Sequence, residues 1–487
     1  MPTDTHRIRI VLFVDGILLV TLSAAMSIPM LVDLAAGNPD WQIFAASAVL
    51  TLFVGGMFVL SMRGEDPPLG QRTGYLLTVS AWVMIGAFAS LPLFFSRLGL
   101  SYTDAFFETM SGLTTTGSTI ISGLDDLPPG LLLWRSLLQW IGGVGIVVMA
   151  IVLLPILRTG GMQLFRTESS DISGKPLSRT RQIAGVTIAV YVGLSVLCAI
   201  AYAASGMNAF DAINHAMTTL STGGYSTRDA SIGYYDSVPI EVVGIVFMVA
   251  GALPLIWYAR LIMERGRKTR AEGRQVPVLL AILLIAAALA TVWNVLANGM
   301  PVATALRLSA FNVTSILTDT GYATSDFSAW GSFAVGLFFS LYLIGGCAGS
   351  TSGAIKIFRW QILADGIGRQ LKRMFQPHRV LLAGYGAQRI DEETVQAVRN
   401  FFVLYMMTLL TVSLAVMATG IDFLSSISAV AQAMANAGPG LGQVGGPAGN
   451  FSTFPDPAKW LLAVAMLLGR LELSTVYVLL LADYWRS

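Results

Sequence analysis

Charged residues are scarce in this chain. Only 12% of its 487 residues are Asp, Glu, Lys or Arg, whereas soluble globular domains carry about 25%. Hydrophobic residues make up 54% of the sequence, and the mean hydropathy is +0.68. This balance excludes an ordinary soluble domain and predicts a chain that lies mostly within a lipid bilayer.

Residues that build disulfides, metal centres and hydrolase sites are also few. The two cysteines, Cys198 and Cys347, form no Cys-x-x-Cys motif. The three histidines, His6, His215 and His378, are too far apart to be metal ligands at helical spacing. No His-Glu-x-x-His motif, Ser–His pairing or Asp dyad appears at membrane depth. We therefore expect no enzyme activity and no organic cofactor, and also no nucleic-acid partner.

Long apolar segments are what the chain has instead. A transmembrane helix needs roughly 20 apolar residues, and the apolar segments cover 9–33, 42–62, 73–97, 131–157, 182–205, 237–261, 277–298, 330–360 (interrupted), 398–420 and 458–484. The first is too long for a signal peptide, so we expect it to remain as a span. Four shorter and more polar segments lie between alternate pairs of spans, at about 103–119, 208–226, 304–324 and 423–440.

Basic residues are concentrated in three loops. The clusters are Arg158, Arg166, Lys175, Arg179 and Arg181; Arg260, Arg265, Arg267, Lys268, Arg270 and Arg274; and Lys356, Arg359, Arg369, Lys372, Arg373, Arg379, Arg389 and Arg399. With these spans, the clusters and both termini fall on one side, which the positive-inside rule makes cytoplasmic. The four short segments then enter from outside. Loops 260–274 and 356–379 suit contact with anionic lipids by default; their charge alone does not indicate a docking surface for a cytosolic regulator.

The four short segments repeat one pattern. They read "LTTTGST", "LSTGGYS", "LTDTGYA" and "MANAGPG", and each has Leu or Met four residues before a glycine. These glycines are Gly117, Gly224, Gly321 and Gly438, and they recur roughly every 100 residues. The period corresponds to one span, one short re-entrant segment and a second span.

Re-entrant backbone at membrane depth must be enclosed by protein or line a water-filled cavity. Four similar segments entering from one face can meet on a pseudo-fourfold axis, each as a pore helix followed by an extended strand. The negative ends of the helix dipoles then favour a cation. Rings of backbone carbonyls and neutral hydroxyls suit a desolvated alkali ion, whereas a ring of carboxylates would suit Ca²⁺ better.

Three charged or broken features need their own interpretation. Asp319 could be a direct ion ligand, but we expect its side chain to bond neighbouring backbone N–H groups. The glycine-rich stretch 345–356 breaks the eighth span in mid-membrane, so we expect a mobile loop that occludes the path. Arg470 lies deep in the last span, and we expect it to face the inner pore or this loop. The "WIGGVGI" segment, 140–146, suits a flexible point and close helix packing equally well.

The filter segments, "GGCAGSTSGAIKIFRW" at 345–360, "ANAGPGLG" at 435–442 and "GRLELSTVYVLLL" at 469–481 resemble the Trk/Ktr/HKT superfamily of potassium transporters, most closely its TrkH-type pore subunits. The resemblance implies a K⁺ path through one subunit, a homodimer in the bacterial inner membrane, and a cytosolic nucleotide-binding ring of the TrkA type. A serine at the first-repeat glycine goes with sodium permeation in this family, so Gly117 resembles the potassium-selective members. The fourth filter departs from the Thr-rich pattern.

Together these arguments predict an all-α polytopic membrane protein with four tandem helix–pore loop–helix repeats after an extra helix pair. The boundaries are 1–66 for the pair and 67–160, 161–265, 266–375 and 376–487 for the repeats, with a gating loop at 345–353. The filter, largely backbone carbonyls, comprises Thr115, Thr116, Gly117, Thr222, Gly223, Gly224, Asp319, Thr320, Gly321, Asn436, Ala437 and Gly438. The gate comprises Gly345, Gly346, Gly349, Ser350, Thr351, Gly353, Lys356 and Arg470. A secondary transporter coupled to H⁺ or Na⁺ is the alternative.

Overall fold

Helices account for nearly every element of the computed structural model, which describes residues 4–64, 70–152, 176–263, 274–378, 383–385, 388–442 and 444–486. Seven of the described helices are long and apolar enough to cross a bilayer, and one bent pair would form an eighth span. The chain is therefore a multi-pass membrane protein, as its composition predicted. Most of the basic residues predicted in the loops 158–175 and 265–270 lie outside the described residues.

Two long helices precede the repeats. They are α1 (Asp4–Ala35) and α2 (Trp41–Met62). The two helices touch where Gly16 faces Gly55, and a Cβ on either glycine would lie 2.9 Å from the other's carbonyl oxygen. Small residues allow such close helix contact within a membrane. At its outer end the pair is tied to repeat 1 because Asp33 Oδ1 accepts a hydrogen bond from the Gly130 N–H, at 2.7 Å.

Each of the four repeats contains a first helix, a shorter pore helix, a filter loop and a second helical segment. Repeat 1 has α3 (Gln71–Ala89), α4 (Leu91–Phe94), pore helix α5 (Tyr102–Leu113) and α6 (Pro129–Val152). Repeat 2 has α7 (Pro176–Ala204), pore helix α8 (Ala209–Leu220), α9 (Val238–Ala252) and α10 (Leu255–Met263). Repeat 3 has α11 (Gln275–Asn298), pore helix α12 (Val302–Leu317), α13 (Ser332–Leu341) and α14 (Ile357–Phe375). Repeat 4 has a short hairpin of β1 (Gly384–Tyr385) and β2 (Gln388–Arg389), then α15 (Glu392–Met417), pore helix α16 (Phe423–Ala435), α17 (Asp456–Arg470), α18 (Leu473–Leu480) and α19 (Ala482–Trp485).

The pore helices begin in a similar way. In three of them a polar side chain caps the first turn by accepting a backbone N–H: Ser101 from Asp104, Asn208 from Asp211, and Asp422 from Ser425. The fourth, α12, follows Pro301 instead. These helices form the centre of the core, and in α16 every residue from 428 to 435 is buried. These caps satisfy backbone N–H groups of the first turn that have no partner within the helix.

The second helical segment is continuous only in repeat 1. In repeat 3 it is interrupted from 342 to 356, as the glycine-rich sequence predicted. The predicted span 237–261 is broken before Pro254, which has no N–H to continue the helical hydrogen bonds. The last predicted span, 458–484, is also not one helix: it bends by 115° after Arg470, where Glu472 has a φ of +66°.

The "WIGGVGI" segment lies inside α6, which runs through it without a break. A Cβ on Gly142 would lie 1.8 Å from the Leu113 carbonyl oxygen at the end of pore helix α5. A Cβ on Gly143 would lie 2.8 Å from the Ser221 Cβ beside filter loop 2. The glycines therefore serve close packing of α6 against two filter loops.

Candidate functional site

The four filter loops adopt one backbone conformation. Two residues before each glycine the chain is left-handed, with φ of +55°, +53°, +59° and +59° at Thr115, Thr222, Asp319 and Asn436. The glycines themselves have φ of +88°, +76°, +86° and +94°, in the order Gly117, Gly224, Gly321 and Gly438. Because these values suit glycine and few other residues, the repeated sequence pattern corresponds to a repeated structure.

One backbone hydrogen bond also recurs in every loop. The N–H preceding each filter glycine donates to a carbonyl five residues earlier, in the last turn of the pore helix. The pairs are Thr116 with Ser111 (2.8 Å), Gly223 with Thr218 (2.9 Å), Thr320 with Ser315 (2.8 Å) and Ala437 with Gln432 (3.0 Å). Through this bond, each filter loop turns back and lies beside the last turn of its own pore helix.

The four loops meet in a closed ring. A Cβ on Gly117 would lie 2.2 Å from the Gly223 carbonyl oxygen, and one on Gly224 would lie 1.9 Å from that of Thr320. The ring continues from Gly321 to Ala437, at 2.3 Å, and closes from Gly438 to Thr116, at 3.0 Å. Each glycine therefore faces the carbonyl before the next repeat's glycine, and the repeats follow one another around the axis in chain order.

The ring presents neutral oxygen atoms. In the described part of the chain, the carbonyls of Thr116, Thr320 and Ala437 accept no hydrogen bond from protein, whereas that of Gly223 accepts one from Gln139, at 2.6 Å. Nowhere among the described residues could three or more His, Cys, Asp or Glu side chains together hold a metal ion. The arrangement has the chemistry of a site for a desolvated monovalent cation.

Side-chain hydroxyls brace the loops. Thr116 Oγ1 accepts from the Asn436 amide at 2.9 Å, and Ser118 Oγ donates to the Gly438 carbonyl at 2.9 Å, so filter loops 1 and 4 are joined twice. Gln139 of α6 holds loop 2, donating to Gly223 and accepting from the Tyr225 N–H at 3.0 Å. These contacts hold the filter loops in place from the periphery of the ring.

A buried ion pair supports the first two loops, and sequence reasoning missed it. Arg135 Nε donates to Glu108 Oε1 at 2.8 Å, with both side chains almost completely buried. The guanidinium also stacks on the Tyr225 ring, with its carbon 4.1 Å from the ring centre. Glu108 in addition accepts the Ile120 N–H at 2.9 Å. Glu108 differs from the other acidic residues near the filter in being paired with a fully buried arginine. The sequence shows neither the burial nor the pairing, so it could not indicate this residue.

One side of the ring carries acidic groups. All four filter glycines line a cavity there that also reaches Arg228 and Asp229. Arg228 bridges Asp211 at 3.0 Å and Asp125 at 3.2 Å. Burial would raise the pKa of Asp211, but hydrogen bonds from Thr227, Tyr235 and Arg228 outweigh it and hold that pKa below the usual carboxyl range. Asp211 therefore stays ionised at neutral pH, paired with Arg228 at this mouth of the ring.

The loop 342–356 contains the stretch that the sequence predicts to be a gate, and it is called the gate loop for that reason. It lies against the C-terminal ends of the pore helices. Thr351 Oγ1 contacts the last carbonyl of pore helix α8, at Leu220 (3.1 Å), and the Thr222 hydroxyl (3.2 Å). The Ala354 N–H donates to the last carbonyl of α16, at Ala435 (3.0 Å). A Cβ on Gly353 would lie 2.0 Å from that same carbonyl oxygen. The loop therefore covers the point where the pore-helix C-termini converge.

The other end of the gate loop is anchored to helices around the pore. The Cys347 N–H donates to Ala252, and the Gly349 carbonyl accepts from Leu255, so the loop fills the break between α9 and α10. The Ala348 N–H donates to Gln275 of α11, at 2.8 Å. Gly345, Gly346, Gly349, Ser350, Thr351, Gly353 and Lys356 all belong to this one loop.

Arg470, the last residue of α17, also contacts the gate loop. Its guanidinium donates to the Thr351 carbonyl at 2.7 Å and to the Gly142 carbonyl at 3.2 Å. Glu472, in the bend between α17 and α18, pairs with Arg359 at the start of α14. Asp319 differs from expectation, because its carboxylate accepts the Ser352 hydroxyl of the gate loop and faces the Gly353 N–H rather than those of its own loop.

Taken together, a pseudo-fourfold ring of carbonyls, re-entrant pore helices and a loop across the inner end define a membrane cation-transport protein built from pore-loop repeats. Residues 40–486 match the TrkH family model, described as a cation transport protein. The chain belongs to this family, which agrees with the expectation that it is not an enzyme.

Similar proteins span the whole chain. The Trk system potassium uptake protein TrkI of Halomonas elongata is 43% identical over 100% of this chain and 99% of its own length. TrkH of Escherichia coli K12 is 36% identical over 98% of this chain and 99% of its own. The crystal structure of the potassium transporter TrkH from Vibrio parahaemolyticus has a TM-score of 0.90 and 34% identity, covering 99% of this chain and 100% of that one.

Proposed function

We propose that this chain takes up K⁺ across the bacterial inner membrane through a gated, passive pathway. The ring of Gly117, Gly224, Gly321 and Gly438 carries the proposal, because at the first three positions the neighbouring carbonyl oxygen leaves no room for a side chain. In this proposal the ion exchanges its water for the carbonyls of residues 115–117, 222–224, 319–321 and 436–438. The printed names of its relatives, Trk potassium uptake proteins, support K⁺ as the ion.

The gate loop is the proposed barrier. Its contacts with Leu220, Ala435 and Asp319 close the inner end of the ring, and Arg470 holds it there. Four glycines within the loop give its backbone the freedom to rearrange. Opening then requires that the loop withdraw from the pore-helix ends.

The assembly follows from the family rather than from this chain's geometry. Like Trk systems, the protein would work as a homodimer with a cytosolic nucleotide-binding ring of the TrkA type, in contact with membrane lipids. Both termini and the basic loops would face the cytoplasm, as the positive-inside rule favours. The repeat boundaries given above, 67–160, 161–265, 266–375 and 376–487, are proposed as the units of the pore.

Coupling to H⁺ or Na⁺ is the second candidate. It is favoured by the ionisable groups at the inner end of the ring, the buried Asp319 and Arg470 and the partly buried Lys356, since coupled carriers use such groups at membrane depth. Lys356 lies within electrostatic range of both Asp319 and Arg470. The passive pathway needs none of these groups to change its protonation.

One experiment separates the two candidates. The purified protein is reconstituted in liposomes with K⁺ inside and Na⁺ outside, and the zero-current potential is measured with and without a pH gradient. A potential near the K⁺ equilibrium value, insensitive to pH, supports the passive pathway. A potential that moves with the proton gradient supports coupling instead, and no K⁺ flux under any condition would refute both.

A further inference from the structure

Asp319 is the one acidic residue among the four equivalent filter positions. Thr115, Thr222 and Asn436 occupy the same left-handed site in the other repeats, and all are neutral. The Asp319 side chain is completely buried at the inner end of the ring. Its Oδ2 accepts the Ser352 hydroxyl, while Oδ1 has no donor in hydrogen-bonding geometry among the described residues. A buried carboxylate oxygen without a hydrogen-bond donor leaves the charge of Asp319 dependent on the positive groups around it.

The gate loop brings the positive charge that faces this carboxylate. The Lys356 ammonium donates to the Ser352 carbonyl, which places it beside the residue that bonds Asp319. Lys356 and Arg470 both act electrostatically on Asp319. Because Ser352 and Lys356 belong to the gate loop, the carboxylate loses its hydroxyl donor and its nearest ammonium when the loop withdraws. Arg470 stays on α17.

We propose that Asp319, once the gate loop has withdrawn, is a binding site for a divalent cation entering from the cytoplasmic side, and that this cation blocks outward K⁺ flow. The inference rests on the proposed function, since it requires an ion path through the ring. In the closed state the Ser352 hydroxyl of the loop holds one oxygen of the carboxylate, and the Lys356 ammonium is bound to the Ser352 carbonyl beside it. In the open state the site is exposed to the inner cavity.

The chemistry favours a divalent ion over K⁺ at this point. A carboxylate at the inner mouth attracts cations in proportion to their charge, and Mg²⁺ binds through one or two carboxylates while keeping several waters. The ring beyond Asp319 offers only neutral oxygens at a close spacing, so a hydrated divalent ion would stop there. K⁺ that enters from outside would push such an ion into the cytoplasm, whereas K⁺ that leaves the cell would be blocked by it. The expected result is rectification in favour of uptake.

Two kinds of variant separate the site from the loop contact. Asp319→Asn removes the charge and introduces the residue that already occupies position 436 at the same φ of +59°. Asp319→Thr introduces the residue found in repeats 1 and 2 and serves if the first variant folds poorly. Ser352→Ala removes the loop's hydroxyl and keeps the carboxylate. All three weaken the hold on the gate loop and should raise K⁺ current.

The measurement is K⁺ current through the full-length chain in planar bilayers, with Mg²⁺ titrated first on one side and then on the other. We expect half-block of outward current at similar Mg²⁺ in wild type and Ser352→Ala. Asp319→Asn and Asp319→Thr should need at least about tenfold more Mg²⁺, the effect of losing one charge-assisted contact. Equal Mg²⁺ sensitivity in all variants would overturn the inference alone. The absence of K⁺ current in every variant would overturn the proposed function and this inference with it.

Discussion

The spacing of the glycine ring predicts a graded loss of selectivity when a methyl group is added. In Gly224→Ala the new Cβ would lie 1.9 Å from the Thr320 carbonyl oxygen. Contacts of this kind below 3.0 Å are essentially absent from real proteins, so the carbonyl must move by more than about 1 Å in a close-packed interior. The same change at Gly438 meets its nearest oxygen, Thr116 O, at 3.0 Å and requires little movement.

The magnitude follows from one displaced ligand. Losing one oxygen contact of about 1.4 kcal/mol lowers the K⁺-to-Na⁺ permeability ratio about tenfold, which shifts the bi-ionic reversal potential by about 59 mV for a monovalent ion. We expect this shift for Gly224→Ala and a clearly smaller one for Gly438→Ala. Gly117→Ser, at 2.2 Å from the Gly223 carbonyl, should fall close to Gly224→Ala.

Gly123 provides the matched control. Its φ of +74° is close to the +76° of Gly224, yet a Cβ there would meet nothing within 4 Å. Gly123→Ala therefore carries the left-handed strain, about 1–2 kcal/mol, without disturbing the ring. Reversal potentials should be measured in proteoliposomes beside thermal unfolding of each variant. Equal shifts in Gly224→Ala, Gly438→Ala and Gly123→Ala would refute the steric reasoning.

Three further predictions concern the gate and the scaffold. Arg470→Gln removes the charged donor to the gate loop and should raise K⁺ flux about tenfold; unchanged flux in folded protein would contradict the role of Arg470. Gly142→Ala puts a Cβ 1.8 Å from the Leu113 carbonyl oxygen and should lower the unfolding temperature strongly. Gly145→Ala, where a Cβ meets nothing within 4 Å, should not. Similar melting curves for the two variants would show that the packing of α6 tolerates the methyl group. Glu108→Gln leaves a buried arginine unpaired and should lower the free energy of unfolding by about 3–5 kcal/mol. Asp125→Asn, in a partly exposed pair, should lower it by less than about 1 kcal/mol. Comparable losses of stability in the two variants on denaturant unfolding would count against a supporting role of the Glu108–Arg135 pair.

Local sequence patterns predicted much of the fold. Apolar length located the spans, and the four glycines located the filter loops, because both signals are read within about 20 residues. A break at 345–356 was predicted for the same reason, since its four glycines lie within nine residues of one another, and the observed break is 342–356. Pro254 and the 115° bend beside Glu472 were missed because one proline or one left-handed residue inside an apolar segment leaves its mean hydropathy unchanged.

What could not be predicted depends on contacts between repeats. The order of repeats around the ring is visible only in the distances from each glycine to its neighbour's carbonyl. Likewise, the partner of Asp319 is Ser352, in a loop of the same repeat that folds back beneath the filter, and the sequence indicated local backbone instead. Long-range side-chain pairing is set by packing, and hydrophobic periodicity carries no information about it.

The position of the bound ion tests the central claim most directly. Rb⁺ is a heavier monovalent ion that can replace K⁺ in crystals, and its anomalous scattering locates it. The account predicts Rb⁺ density on the pseudo-fourfold axis, coordinated by the carbonyls before Gly117, Gly224, Gly321 and Gly438, and loss of that density in Gly224→Ala. Density only at the acidic outer mouth, with none inside the ring, would contradict the account.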